Sequence, residues 1–229
     1  MKNNIRITID GTTAAGKGTL AIKLSKELKI PYLAVGQIFR TFGLLSNQRN
    51  YTVEKISELW SNKTIKYKSY IGGYFIVFDG EVINSKLDSE ETSKETSILS
   101  KNSENLILIE KIVKNVGNEL KSFVGDGRNL GEYLFPESEI KIYLYAPIEI
   151  RAERRLYDLI RQGEKSSLEE QLKNLEERDK KDIERAYMPL IIPKNSYQID
   201  SSMYKLNQIV QIIKEVVLDK SNEKELKTK

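Results

Sequence analysis

The 229-residue chain contains no cysteine and no histidine. Disulfides and metal sites built on thiolate or imidazole are therefore excluded. Cysteine nucleophiles and histidine general bases go with them. Any catalysis must rest on Lys, Arg, Asp, Glu, hydroxyl groups or backbone amides, an inventory suited to chemistry done by positioning and charge neutralisation. No apolar run is long enough to span a bilayer, and Met1-Lys2-Asn3-Asn4 leads into a short strand-like run rather than the core of a signal peptide. The expectation is a cytoplasmic protein without a membrane partner. Neither sign of charge dominates: the net charge is +4 and the lysines are scattered. With no basic patch interleaved with aromatics, a nucleic-acid partner is not expected. What is present, 39% hydrophobic and 31% charged residues, suits one well-cored globular domain with small inserted lobes.

Periodicity divides the chain. Ile5, Ile7 and Ile9 alternate with Arg6 and Thr8 up to Asp10-Gly11, which predicts a strand ending in a glycine turn. Leu20, Ala21, Leu24 and Leu28 follow helical spacing, and Pro31 to Val35 reads as a second strand. This β-loop-α-β unit starts a parallel sheet. Ile65–Tyr70 and Tyr74–Phe78 around Gly72-Gly73, followed by Asp79-Gly80 and Glu81–Ile83, predict a small antiparallel meander inserted into that pattern. Ser85 to Ser103 is polar and reads as loop or solvated helices. Strands resume at Phe123–Gly125, Lys141–Ala146 and Ser196–Asp200, with charged helices at Glu149–Asp158 and Leu168–Glu184. Leu206, Ile209, Ile212, Ile213, Val216 and Val217 mark a last amphipathic helix, with a charged loose tail expected from residue 219.

The most informative stretch is Gly11, Thr12, Thr13, Ala14, Ala15, Gly16, Lys17, Gly18 and Thr19. Its glycines let successive N–H groups face one anion, and the helix that follows adds its positive dipole end. Lys17 can reach β- and γ-phosphates. The run lies between a predicted strand and a predicted helix, which is the context a phosphate loop requires. Gly18 stands where the general motif has Ser or Thr, and Thr19 comes next. Gly-Lys-Gly-Thr is characteristic of nucleoside monophosphate kinases.

Across nearly the whole chain the sequence resembles bacterial cytidylate kinases. The likeness is carried by Ile9–Leu20, by Gly36-Gln37-Ile38-Phe39-Arg40, by Asp126-Gly127-Arg128-Asn129-Leu130-Gly131, by Phe135-Pro136, by Arg151-Ala152-Glu153-Arg154-Arg155, and by Glu177–Arg185. The resemblance implies an α/β fold of P-loop type, three layers α/β/α around a parallel sheet. It implies one domain over 1–229, with a monophosphate-binding lobe at about 38–121 that holds the antiparallel sheet, and a short helical lid at about 152–172. The implied activity is transfer of the γ-phosphoryl group of ATP to CMP or dCMP by a monomer binding only small nucleotides. No metal ligand set is implied: Mg²⁺ is carried by ATP and water near Thr19 and Asp126.

Residue by residue, Lys17, Asp126, Arg154, Arg155 and Arg161 take catalytic places, and residues 11–19 with Arg151 take the ATP site. Asp126 follows a predicted strand, where it can orient metal-bound water or cap a turn. Arg40 and Arg128 resemble the guanidinium forks that grip the acceptor phosphate. Arg151, Arg154 and Arg155 share a helical face and with Arg161 resemble lid arginines; a solvated helix laced with Glu149, Glu153 and Asp158 is the competing reading. Arg178, Asp182 and Arg185 fall at i, i+4 and i+7. The resemblance gives them ribose and nucleotide contacts, against a salt-bridged exterior. Ser97 stands at the family's pocket serine.

The base pocket departs from the family. Ala34-Val35-Gly36 replaces Asp-Thr-Gly or Asp-Ser-Gly, Asn129 replaces an aspartate, and Leu106 stands where an arginine is expected. Fewer polar partners imply weaker or broader pyrimidine selection than in the family. Alternatives are another nucleoside monophosphate kinase of UMP/CMP or broader specificity, and a degenerate, non-catalytic nucleotide-binding module.

Overall fold

The computed structural model describes residues 4–161 and 163–227, with side chains as far as residue 220. Gln162, within the expected lid, and both extreme ends of the chain lie outside the described residues. The chain opens with β1 (Arg6–Gly11), α1 (Lys17–Leu28), β2 (Tyr32–Ala34) and α2 (Val35–Arg49). Then come α3 (Val53–Ser61), a hairpin meander of β3 (Ile65–Tyr70), β4 (Gly73–Phe78) and β5 (Glu81–Val82), and the helices α4 (Asn84–Leu87), α5 (Glu90–Leu99) and α6 (Ser103–Leu120). Strand β6 (Phe123–Asp126) runs into a π-helical turn at Leu130–Leu134 and then β7 (Ile140–Tyr145). The chain ends with α7 (Ile148–Arg161), α8 (Leu168–Glu184), β8 (Tyr197–Asp200) and α9 (Leu206–Lys227). Two expectations shift: Val35 begins a helix rather than ending a strand, and the expected loose tail is helical up to Lys227.

The five longer-range strands form one sheet in the order β2-β6-β1-β7-β8, every neighbouring pair parallel. β1 is central, so both of its faces are covered and Ile7, Thr8, Ile9 and Asp10 are all fully buried. One apolar core joins Ile7, Ile9, Leu20, Leu24, Ile142, Ile209 and Ile213 under α1 and α9. The other joins Ile38, Phe42, Ile112, Phe123 and Phe135 under α2 and α6. Helices on both faces of a parallel sheet make the three-layer α/β/α arrangement. All five strands point the same way, so their carboxyl ends, Gly11, Ala34, Asp126, Tyr145 and Asp200, fall on one edge.

The three-stranded antiparallel sheet β3-β4-β5 belongs to the lobe inserted between β2 and β6. Asp79 (φ 50°) and Gly80 (φ 84°) make the two-residue, doubly left-handed turn that matches strand twist. This lobe abuts the outer strand β2. Tyr67 Oη accepts from Ala34 N at 2.8 Å and donates to Tyr32 O at 3.1 Å, and Ser69 Oγ donates to the same carbonyl at 2.6 Å. Side chains of β3 thus satisfy the open hydrogen-bonding edge of β2, the usual liability of an outer strand.

Candidate active site

The loop after β1 curls for identifiable reasons. Gly11 has φ 141°, and a Cβ there would stand 1.8 Å from Leu144 O of β7, so only glycine lets the loop leave the sheet at that point. Ala14 (φ 59°) and Gly16 (φ 91°) are left-handed, and α1 begins at Lys17. The first turn of α1 carries no acidic residue, which leaves its N-terminal N–H groups to an anion. Lys17 Nζ donates to Thr12 O at 2.6 Å, so its ammonium folds back over the cup. Burial, then the nearby Arg128, lowers Lys17 to about 8. Among the described residues, Thr12 Oγ1 is buried without a hydrogen-bond partner.

Two carboxylates flank this cup. Asp126, last residue of β6, accepts from Tyr32 Oη at 2.6 Å. Burial raises its pKa, opposed by the Tyr32 hydrogen bond and by Lys17. A Cβ on Gly18 would lie 3.6 Å from Asp126 Oδ2, so the glycine after the lysine brings the carboxylate close to the helix start. Asp10 lies beneath the loop, fully buried, and accepts from Leu130 N and Gly131 N at 2.7 Å each. Burial pushes it up to about 6. It holds the π-helical turn that follows Asp126-Gly127-Arg128-Asn129. Sequence reasoning missed Asp10 and Tyr32, whose partners lie 120 and 94 residues away.

Guanidinium groups converge opposite. Arg128 pairs with the buried Asp182 of α8 and donates to Thr13 Oγ1 at 2.9 Å. Arg178, on the same helix, is lowered to about 10, chiefly by burial and then by Arg128, with Arg40 and Arg155 adding repulsion and Asp182 opposing it. Arg185 is lowered by burial and by Arg128, and its Nε donates to Met188 O at 2.5 Å. Arg40 Nη1 reaches Leu87 O at 2.9 Å and Asp88 Oδ1 at 3.3 Å. Arg178 thus stands in the field of Arg128, Arg40 and Arg155, and Lys17 in that of Arg128 and Arg178, a crowding of like charge that an anion would relieve.

Other expected site residues are occupied differently. Arg151 is buried and spends its donors on Ala146 O, Thr13 O and Asp179, so in this structure it braces the loop rather than facing solvent. Arg154 donates to Ser201 Oγ and Ser201 O, and Ser201 Oγ donates to Ala15 O at 2.9 Å. Arg155 is exposed, and Arg161, also exposed, lies over the Tyr157 ring with 5.8 Å to its centroid. Thr19 is exposed on α1. Among the described residues no cluster of three or more acidic groups could hold a metal ion, although the single carboxylate of Asp126 beside the cup fits a cation delivered by its nucleotide.

Of the residues expected at the base, Val35 and Leu106 are buried apolar groups. Asn129 is fully buried at φ 69°, its Nδ2 donating to Met188 O. A carbonyl only accepts, so the amide nitrogen must face Met188 and Oδ1 must face away. Among the described residues that Oδ1 has no partner. Ser97 is exposed on α5, which is seated on α2 where a Cβ on Gly43 would stand 2.3 Å from Thr96 Oγ1.

A glycine-lined cup with an ammonium group, at the carboxyl edge of a parallel sheet and facing clustered guanidinium groups, defines a P-loop phosphotransferase. The family model described as Cytidylate kinase matches residues 7–219. The cytidylate kinase of Aquifex aeolicus is 33% identical over 223 residues, covering 97% of this chain and 100% of that one. That of Chlamydia caviae is 34% identical over 210 residues, covering 90% and 95%. An uncharacterized protein from Eubacterium ventriosum shares the fold, with a TM-score of 0.52 at 14% identity over 95% of this chain and 99% of its own. The chain belongs to the cytidylate kinase family.

Proposed function

We propose that this chain phosphorylates CMP and dCMP from ATP·Mg²⁺ in the cytoplasm, forming CDP and dCDP. The observation that carries the reading is the pairing of a phosphate cup with a second anion site: Arg128 touches Thr13 of the loop on one side and Asp182 of α8 on the other. A donor triphosphate in the cup and an acceptor phosphate on Arg128 would therefore be neighbours. The residues 11–19 would bind the triphosphate through backbone N–H groups and Lys17. Arg40, Arg128 and Arg185 would orient the acceptor phosphate, and Arg178 with Asp182 its ribose. The acceptor oxygen is already anionic, so in-line attack on the γ-phosphorus needs no strong base. Lys17, the loop amides and Arg155 stabilise charge on the transferring group as water is excluded. Asp126 and Thr19 would hold waters of an Mg²⁺ ion brought in by ATP, which would supply neutralisation of phosphate charge.

A second reading within the same chemistry rests on the two apolar residues expected at the base. Val35 and Leu106 present no polar atom, so the base would be held by fewer hydrogen bonds, each worth roughly 1.5–3 kcal/mol when a charged group takes part. Broader pyrimidine selection follows. A panel of CMP, dCMP, UMP and AMP with ATP·Mg²⁺, followed by ADP release, tests both. CMP and dCMP should be turned over, with UMP within about tenfold to a hundredfold. No turnover of any pyrimidine monophosphate would sink the activity; UMP undetectable beside rapid CMP turnover would sink the broad selection.

A further inference from the structure

Thr13 is held at every polar group it has. Its N–H donates to Asp179 Oδ1 at 3.3 Å, its carbonyl accepts from Arg151 Nη1 at 3.1 Å, and its hydroxyl accepts from Arg128 Nη2 at 2.9 Å. The ring closes because the same Arg151 Nη1 donates to Asp179 Oδ2 at 2.6 Å, while Arg151 Nε donates to Ala146 O at 2.9 Å. The two charged side chains keep only 7% and 13% of their exposure. Loop, α7 and α8 are thus joined at a single residue of the phosphate cup.

Such a pair calls for an explanation beyond stability. A desolvated ion pair is often no more stabilising than two apolar side chains of similar volume. What apolar side chains could not do is grip both peptide groups of Thr13. Its N–H belongs to one peptide plane and its carbonyl to the next, so holding both fixes φ and ψ at Thr13. The following residue, Ala14, has φ 59°, a left-handed conformation that a residue with a side chain keeps only when its surroundings impose it. The helix supplying Asp179 also carries Arg178 one residue before and Asp182 three residues after.

We propose that Asp179 is a positioning residue for phosphoryl transfer: through Arg151 and the two peptide groups of Thr13 it sets the curvature of the phosphate loop and fixes that loop to the helix bearing the acceptor-side residues Arg178 and Asp182. The kinetic part of this inference rests on the kinase reading above; the mechanical part does not. Donor and acceptor sites then share one mount, and the distance between them is held by the clamp rather than by the loop's own preferences.

The test replaces both charges together, Asp179→Leu with Arg151→Met, alongside Asp179→Ala and the conservative Asp179→Glu. Denaturation midpoints, amide exchange over residues 11–16, and kcat and KM are measured on each full-length protein. Asp179→Ala should lower the midpoint by stranding a buried guanidinium, and the double replacement should recover most of that loss. Even so, the double variant should show exchange at least tenfold faster in the loop and kcat at least tenfold lower, with the acceptor KM within threefold. Should the double variant fail to fold, Asp179→Glu decides. It keeps the ion pair but moves the carboxylate by one methylene, and should lose at least fivefold in kcat with faster loop exchange. Wild-type kcat, wild-type loop exchange, or a raised KM at unchanged kcat in a stably folded variant would overturn the proposal. If the parent protein phosphorylated no monophosphate, the kinase reading would fall, and the exchange measurement alone would decide the clamp.

Discussion

Lys17 shows what a single residue's surroundings do to its chemistry. Burial and the Arg128 charge lower its ammonium to about 8 from an ordinary 10.5. The lysine must be protonated to meet a triphosphate, so kcat/KM for ATP, which reports the free protein, should fall as pH rises through about 8. In the complex, phosphate charge raises the lysine again, so kcat should hold to higher pH. The sign for stability is the reverse. Between about 8 and 10.5 the unfolded chain binds this proton more tightly, so the lysine's burden on the fold lightens as pH rises across that window. Lys17→Met should abolish turnover, by at least a thousandfold, without unfolding the protein, and should remove the alkaline limb from nucleotide binding; pH profiles with matched denaturation curves check both. At this scale the sequence was legible wherever the signal is local. The loop glycines, Lys17, and Arg178, Asp182 and Arg185 at helical spacing all announce themselves. Asp179 sits inside that last motif without a local signal of its own, because its partners Thr13 and Arg151 lie 166 and 28 residues away. Ser201, which meets Ala15 across 186 residues, carries no local signal for the same reason.

Elements were readable where local chemistry and tertiary contact agree. The meander was legible because Asp79-Gly80 demands a two-residue hairpin and the strands on either side alternate. The stretch over 85–103 reads as loop or solvated helices because α5 buries little: Thr92 is its buried residue, and against Gly43 of α2 the helix sets one hydroxyl, Thr96 Oγ1, and the backbone at Thr92 and Thr96. Its start signal was nonetheless present, with Ser89 accepting from Thr92 N and Glu90 and Glu91 in the first turn. What no periodicity could reveal is how the meander meets the main sheet. Tyr67 alone satisfies Ala34 N and shares Tyr32 O with Ser69. Tyr67→Phe removes one hydroxyl and leaves Ala34 N without its acceptor at the edge of β2. An unpaired buried backbone group costs about 1–3 kcal/mol. Urea denaturation should show a loss of that size with an unchanged slope. Because β2 also carries Tyr32, the hydrogen-bond partner of Asp126, turnover should fall more than ground-state nucleotide affinity. A variant as stable as the parent would show that Ser69 or solvent takes over the edge.

At the scale of the whole molecule, one topological fact makes the site: every strand of the main sheet runs the same way, so residues from positions 11 to 201 reach a single edge. That is why a net charge of only +4 conceals a concentrated cationic face. Charge counted along the chain averages over surfaces that the sheet then sorts. The sorting works against the unliganded fold, since Arg178 is held down to about 10 by burial and by repulsion from Arg128, Arg40 and Arg155. Anions that bind the folded chain and not the unfolded one must therefore stabilise it. At a hundred times its dissociation constant a ligand contributes about 2.7 kcal/mol. For a chain of this size that corresponds to a rise in Tm of roughly 5–10 °C. Thermal unfolding should show that rise with ATP, a smaller one with inorganic phosphate, and shrinkage of both as sodium chloride screens the site. Arg178→Met removes one member of the crowd. Without ligand its Tm should equal or exceed the parent's, while the gain from phosphate should drop by at least half. A variant that loses stability in the absence of anion would mean that Arg178 is held by Asp182 as a structural pair, and that the cationic edge is not strained in waiting for phosphate.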